Sequence, residues 1–359
     1  VMLESLVEKV TSDPGISTYT GAKLKEISGY IGNFKTRFEN FETEIEHGVV
    51  IVASGGQEHR PDEYFLGRDD RVITQRDLEE MLENRGKSGL SSLKTVVMIQ
   101  CVGSRDEKRP LCSRVCCSGA IKNAIRLKEL NPWVSVYVLF RDIRTYGLKE
   151  SFYRTAREKG VVFIRHDEDH KPKVTNTGGG LKVRTRDNIL NRDLIITPDL
   201  VALSTGIEPN PDNKALSQFL KIPLDADGFF MEAHLKLRPV DFATDGIFVC
   251  GLAHYPKDIS ETIAQARAAA GRAGTVLSRD TIESEGKISY IREERCSGCG
   301  SCVKVCAYSA VELDEEKRVA VVNAALCKGC GACAATCRAS AIDLKGFRNE
   351  QILEALAAF

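Results

Sequence analysis

At 359 residues the chain is long enough for two or three domains with separate cores. Its 50 basic and 50 acidic residues cancel, which removes the electrostatic case for nucleic acid or anionic lipid as a partner. Apolar runs such as HGVVIVASGG are too short to span a bilayer, and no secretion-type leader opens the chain, so a cytoplasmic location is expected.

The chain begins with Val1, which fits a fragment, a processed product or an unusual start. HGVVIVASGG then predicts a buried strand ending in Gly55 and Gly56. TVVMIQ and VSVYVLF predict two further strands. Between them lies a helical segment whose apolar face is Ala120, Ile121, Ala124, Ile125 and Leu127, together a βαβ unit suited to parallel strands. At the first strand-to-helix junction a dinucleotide-binding chain normally carries glycines for a phosphate. Here stand Cys101, Cys112, Cys116 and Cys117, with Gly103 the only glycine before Gly119. Four thiols match the ligand count of a [4Fe-4S] cluster; structural thiols, a redox-active pair or a zinc site are the other readings. The intervening RDEKRP is expected to be a solvated loop that could dock an electron carrier.

Further on, LKVRTRD and DLIITPDLVALSTG predict a meander around NTGGG, ending at Gly206. DGIFVCG predicts a strand and glycine turn at Gly251, followed by a long alanine-rich helix. Cys250 is expected to be buried and inert.

Eight of the thirteen cysteines lie between Cys296 and Cys337, in a chain where cysteines point to metal or redox chemistry before disulfides. CSGCGSCVKVC and CKGCGACAATC each spell C-x2-C-x2-C-x3-C, the bacterial ferredoxin pattern, in which the fourth cysteine ligates the other cluster. The expected ligand sets are therefore Cys296, Cys299, Cys302 and Cys337 for one cluster, and Cys327, Cys330, Cys333 and Cys306 for the other. Ala307 and Arg338 replace the proline that usually follows the fourth cysteine. Residues 310–326 predict the hairpin between the halves. The terminal FRNEQILEALAAF predicts a helix that docks a partner or packs on the ferredoxin domain. Beside this module, the Cys101–Cys117 group is expected to hold a third [4Fe-4S] cluster.

The order of these pieces resembles the thioredoxin-reductase-like, two-dinucleotide flavoprotein fold, an α/β class, here followed by an α+β ferredoxin domain. CVGSRDEKRPLCSRVCCSGAIKNAIRLKE, FRDIRTYG, GLAHYPKDISETIAQARAAAGRA and the ferredoxin repeat together resemble the family of the heterodisulfide reductase A subunit. The resemblance implies FAD contacts at Gly55, Gly56, Gly206, Gly251 and the turn Lys257, Asp258 and Ile259. It also implies Lys257 as a positive group beside the flavin and His254 as a candidate donor to it. Leu252 stands where the fold's acidic residue is usual. The family's flavin-binding GxGxxG half does not precede residues 2–38, so a second chain or a truncation is expected to account for it.

The resemblance implies an oxidoreductase subunit, an anaerobic setting and an oligomeric complex. Its partners would be other heterodisulfide-reductase-like subunits, ferredoxin, and a hydrogenase- or formate dehydrogenase-type donor, with flavin-based bifurcation. The alternatives are a self-contained NAD(P)H-dependent iron–sulfur flavoprotein and a non-catalytic docking subunit. Expected domains are 1–88 (partial FAD-binding), 89–208 (α/β with the cysteine site), 209–284 (FAD-binding return), 285–346 (ferredoxin) and 347–359 (helix).

Overall fold

The computed structural model describes residues 2–85, 90, 92–283 and 286–358. Val1, Phe359 and the expected boundaries at 88/89 and 284/285 lie outside the described residues. After the exposed helix α1 (Met2–Ser12), three strands form an antiparallel sheet, β1 (Leu24–Tyr30), β2 (Asn33–Phe38) and β3 (Phe41–His47). Alternation in β2 turns Phe34 and Thr36 inward, as a period of two requires.

Next come β4 (Val50–Val52) and β5 (Gly56–Glu58), then β6 (Val72–Thr74) and α2 (Gln75–Arg85). The βαβ unit forms as β7 (Thr95–Val102), α3 (Cys116–Leu130) and β8 (Ser135–Phe140), and continues through α4 (Glu150–Glu158) to β9 (Val162–Arg165). A meander of β10 (Lys173–Asn176), β11 (Leu181–Asp187) and β12 (Arg192–Ile196) precedes β13 (Leu200–Thr205) and β14 (Ile207–Pro209).

The central sheet has the order β6-β13-β7-β8-β9, and every pairing in it is parallel. Both faces are covered, which explains the continuous apolar run in β7. Val96 and Met98 pack with Ala120, Ile121, Ala124 and Leu127 of α3. Val97 and Ile99 pack on the other face with Leu181 and Val183 of the meander. Residues 72–85, assigned from sequence to the first domain, instead belong to this sheet, because β6 pairs with β13 and Leu78 and Leu82 of α2 join its core.

HGVVIVASGG departs from its expected burial. β4 is three residues long and pairs, in parallel, with β15 (Ile247–Val249), reached through α5 (Asn213–Leu220). This sheet has two strands among the described residues, and Ile51 is 41% exposed on its outer side. Helix α6 (Ile259–Leu277) covers the inner side, where Ala269 and Ala273 pack with Val240, Phe248 and Cys250. The small alanines let the helix lie close to the strands.

The C-terminal unit contains β16 (Ser289–Ile291), α7 (Ser301–Val305), β17 (Val311–Asp314), β18 (Val319–Val322), α8 (Ala332–Thr336) and β19 (Ile342–Leu344). β17–β18 is the expected hairpin and β16–β19 its antiparallel counterpart. The terminal helix α9 (Asn349–Ala357) forms and buries no residue. Among the described residues no helix is long and apolar enough to cross a membrane.

Candidate functional site

The two halves of the C-terminal unit repeat the same backbone hydrogen bonds to their sulfurs. Ala310 N donates to Cys306 Sγ at 3.2 Å, and Ala341 N to Cys337 Sγ at 3.3 Å. Ala320 N donates to Cys296 Sγ, and Ser289 N to Cys327 Sγ, both at 3.4 Å. Two hydroxyls break the repeat: Ser289 Oγ lies 3.1 Å from Cys333 Sγ, and Ser301 Oγ lies 3.5 Å from Cys299 Sγ where the other half has Ala332. A cavity of about 190 Å³ is lined by Cys296, Cys299, Cys302 and Cys337, so the fourth cysteine of the second run faces the first three of the first. Cys333 and Cys306 belong to the same core cluster, Cys327 and Cys333 share Ser289 as a contact, and Cys330 is exposed. All thirteen cysteines are free. Among the described residues no group of three or more His, Cys, Asp or Glu side chains is placed to hold a single metal ion. Thiolates around a cubane surround a multi-atom body and do not converge on one point.

The second cysteine group sits where β7 and β13 end side by side, with Thr205 in register with Val102. This is the carboxyl edge of a parallel sheet, where α/β folds place ligands. Cys101 is the penultimate residue of β7 and Cys112 lies in the loop, while Cys116 and Cys117 open α3. The four thiols feel one another. Burial first, then the charges of Cys117, Cys101 and Cys112, push Cys116 well above the ordinary thiol range. Cys117 is pushed up to about 11, again chiefly by burial. Cys116 Sγ donates to Thr205 O at 3.2 Å, Cys117 Sγ lies 3.9 Å from Asp142 O, and Arg114 N donates to Cys112 Sγ at 3.4 Å. Cys101, Arg105 and Arg114 all adopt positive φ, at about 1–2 kcal/mol each for residues bearing a Cβ.

These residues fit an iron–sulfur group on structural grounds. β7, which carries Cys101, also brings Gln100 Nε2, buried and without a partner among the described residues. Such an orphan is costly unless something accepts from it, and sulfur can.

RDEKRP is not the solvated loop expected. Only Glu107, Lys108 and Pro110 are exposed; Arg105 pairs with Asp142 and Arg109 Nη2 donates to Glu208 Oε1 at 2.5 Å. Sequence reasoning also missed Arg114, whose Nη2 donates at 2.6 Å to both Glu261 Oε1 and Tyr146 Oη. Arg114–Glu261 ties the cysteine loop to the first turn of α6, and Lys149, just before α4, pairs with Asp258 at the cap of α6.

Of the residues assigned to FAD, Gly55, Gly56 and Gly251 come together. β4 and β15 run in parallel into their glycine turns, and Gly56 faces Leu252. Gly206 does not join them. It lies against Ser104 and Ser113 beneath the cysteine loop, and its carbonyl accepts from His59 N. Asp258 caps α6, accepting from Glu261 N at 2.9 Å and Ser260 Oγ at 2.6 Å. Its pairing with Lys149 first, then these hydrogen bonds, holds the carboxyl well below the usual range. Ile259 is 71% exposed.

Lys257 is 5% exposed and turns inward, donating to Gly251 O at 2.6 Å and Tyr255 O at 3.1 Å over the Tyr255 ring. His254, a candidate flavin donor by resemblance, is buried. Its Nε2 meets Glu232 at 2.7 Å and its Nδ1 meets Gln265 at 2.7 Å, so neither ring nitrogen is spare. Cys250 is buried, and its burial raises its pKa.

Burial brings Lys257 down from 10.5 to about 8. A folded state that binds fewer protons than the unfolded chain gains stability as pH rises, here between about 8 and 10.5, with no slope from this group below 8. Urea unfolding at several pH values is expected to show this rise in the wild type. The Lys257→Met variant is expected to lack it.

A parallel-sheet α/β domain with thiols at its carboxyl edge, joined to a unit of two cysteine-lined half-sites, defines an iron–sulfur redox protein. A family model described as a 4Fe-4S dicluster domain matches residues 295–341. The iron–sulfur A subunit of the CoB–CoM heterodisulfide reductase of Methanocaldococcus jannaschii is 40% identical over 290 residues, 75% of this chain and 43% of that protein. The A subunit of the H2:CoB-CoM heterodisulfide,ferredoxin reductase of Methanothermobacter marburgensis is 39% identical over 299 residues, 79% of this chain and 45% of that one. The A subunit of the H2/formate:CoB-CoM heterodisulfide,ferredoxin reductase of Methanococcus maripaludis is 39% identical over 292 residues, 76% and 44% of the two chains. The chain belongs to the family of the heterodisulfide reductase A subunit, and it spans a little under half the length of these curated relatives. Among solved structures, thioredoxin reductase of T. acidophilum aligns with a TM-score of 0.49 at 16% identity, covering 79% of this chain and 81% of that one.

Proposed function

We propose that this chain is an electron-transfer subunit of a heterodisulfide-reductase-like complex, passing single electrons among three [4Fe-4S] centres and exchanging them with FAD. The observation that carries this reading is the gathering of Cys101, Cys112, Cys116 and Cys117 at the sheet edge where a dinucleotide fold would offer amides to phosphate. In this reading those four hold one centre. Cys296, Cys299, Cys302 and Cys337 hold the second, and Cys327, Cys330, Cys333 and Cys306 the third. Loss of a phosphate loop at this position favours one-electron traffic over hydride transfer.

Gly55, Gly56, Gly251 and the Lys257–Ile259 turn form the part of the FAD site that this chain supplies. The two-stranded β4–β15 sheet leaves the rest to additional sequence or a partner subunit. Flavin, when bound, supplies a two-electron centre that also exchanges single electrons. The protein's own part is positional: Arg114–Glu261 holds the cysteine loop against α6, Lys149–Asp258 holds the start of α4 there, and backbone amides hydrogen-bond the ferredoxin-domain sulfurs. The names of the Methanothermobacter and Methanococcus relatives support a hydrogen- or formate-linked donor. They also support ferredoxin and a disulfide as the two acceptors of a bifurcating flavin, in an oligomeric cytoplasmic complex.

Anaerobic purification with iron, sulfide and FAD quantified per chain tests the reading. About twelve iron and twelve sulfide are expected, and about eight of each would refute the centre at Cys101–Cys117. FAD near one per chain would mean that the chain completes its own flavin site. Bleaching of the spectrum by NADH alone would instead favour a self-contained NAD(P)H-dependent enzyme. Full iron with no FAD bound in any assembly would favour a docking subunit.

A further inference from the structure

The segment 140–147, FRDIRTYG, wraps the outside of the cysteine loop. Arg141 Nη2 donates to Ser104 O at 3.1 Å and Arg105 O at 2.9 Å, fixing the loop backbone. Asp142 uses both of its ends: its carboxylate pairs with Arg105, and its carbonyl faces Cys117 Sγ. Arg144 Nε donates to the same carboxylate at 3.4 Å. Held in this way, Arg105 places Nη1 at 3.8 Å from Cys101 Sγ. Arg105 is largely buried, its side chain only 20% exposed, so water screens the guanidinium incompletely.

We propose that Arg105, oriented by Asp142, is a positioning residue that donates to the Cys101 sulfur and raises the reduction potential of the iron–sulfur centre at Cys101, Cys112, Cys116 and Cys117. The inference rests on the three-centre reading above. Reduction adds one electron, and so one negative charge, to the centre and its thiolates; no bond forms or breaks. No proton moves, because the guanidinium stays charged throughout. The electron comes from a ferredoxin-type one-electron carrier in the complex and from a mediator-buffered chemical reductant in the test. A fixed cation at the sulfur favours the state with the extra negative charge, whereas a neutral side chain does not.

The test is a redox titration of the full-length, anaerobically purified chain with its centres loaded, followed by electron paramagnetic resonance. Wild type, Arg105→Gln and Arg105→Lys are compared, with the ferredoxin-domain signals as internal reference. In Arg105→Gln the midpoint of this one centre is expected to move negative. At the wild-type midpoint its reduced-to-oxidised ratio should fall about threefold to tenfold. Arg105→Lys, which keeps the charge, is expected to recover most of the shift.

An unchanged midpoint in Arg105→Gln with full iron overturns the proposal, as does an equal negative shift in Arg105→Lys. If Arg105→Gln loses the centre, Arg105→Lys decides: a near-wild-type midpoint supports the proposal, and loss of the centre in both variants overturns it. About eight iron in the wild type would refute the three-centre reading itself, a result distinct from any of these.

Discussion

Replacing Gly329 by alanine is expected to strip iron from the ferredoxin unit. Gly329 and Gly298 occupy equivalent turns, at φ of +60° and +64°, where an L side chain is strained by about 1–2 kcal/mol. The larger cost is steric. A Cβ at Gly329 would run into the Lys287 carbonyl, and one at Gly298 into the Arg318 carbonyl. Both obstacles are backbone, so no rotamer change relieves them. Each loop must move, and these loops carry Cys330 and Cys299. Gly329→Ala and Gly298→Ala are each expected to lose one to two clusters, read as a fall of about four to eight iron per chain against a wild-type value of about twelve. Alanine at Gly286, which faces open space, is the control and is expected to leave iron unchanged.

Substitution of Cys116 by alanine is expected to remove about four of about twelve iron and leave the ferredoxin-domain signals as they are. Cys116 sits at the start of α3 against Thr205 O, over 170 residues before the first ferredoxin cysteine. The two regions have separate cores, so the loss should stay local. Cys250→Ala supplies the contrast: that thiol packs among Val240 and Phe248, and its removal is expected to cost no iron. An unchanged iron content in Cys116→Ala would mean that the loop holds no centre.

The C-terminal unit was legible because its pattern is local: cluster spacing is written within eleven-residue runs, and the hairpin between them follows from short-range alternation. The site at Cys101–Cys117 was legible in its thiols and invisible in its setting. Arg105 and Asp142 stand thirty-seven positions apart, and Arg114 and Glu261 farther still, so only the parallel sheet brings them together. The same long-range pairing moved residues 72–85 into the central sheet and drew Gly206 under the cysteine loop. The burial of Lys257 and His254 was illegible for a related reason. PKDI and LAHY look polar and loop-like, but the turn packs against Gln265, Glu232 and its own carbonyls, which turns both side chains inward. Nothing in a polar tetrapeptide announces that.

The Ser289 hydroxyl gives the two ferredoxin half-sites different neighbours. Ala320 holds the corresponding place in the other half and has no hydroxyl to offer. An added hydrogen bond to sulfur makes a cluster easier to reduce. The first half answers with Ser301, whose hydroxyl lies 3.5 Å from Cys299 Sγ where the second half has Ala332, so each half-site carries its own serine at a different thiol. A duplicated cysteine motif thereby yields two stations that are not interchangeable, told apart by which thiol a serine hydroxyl meets.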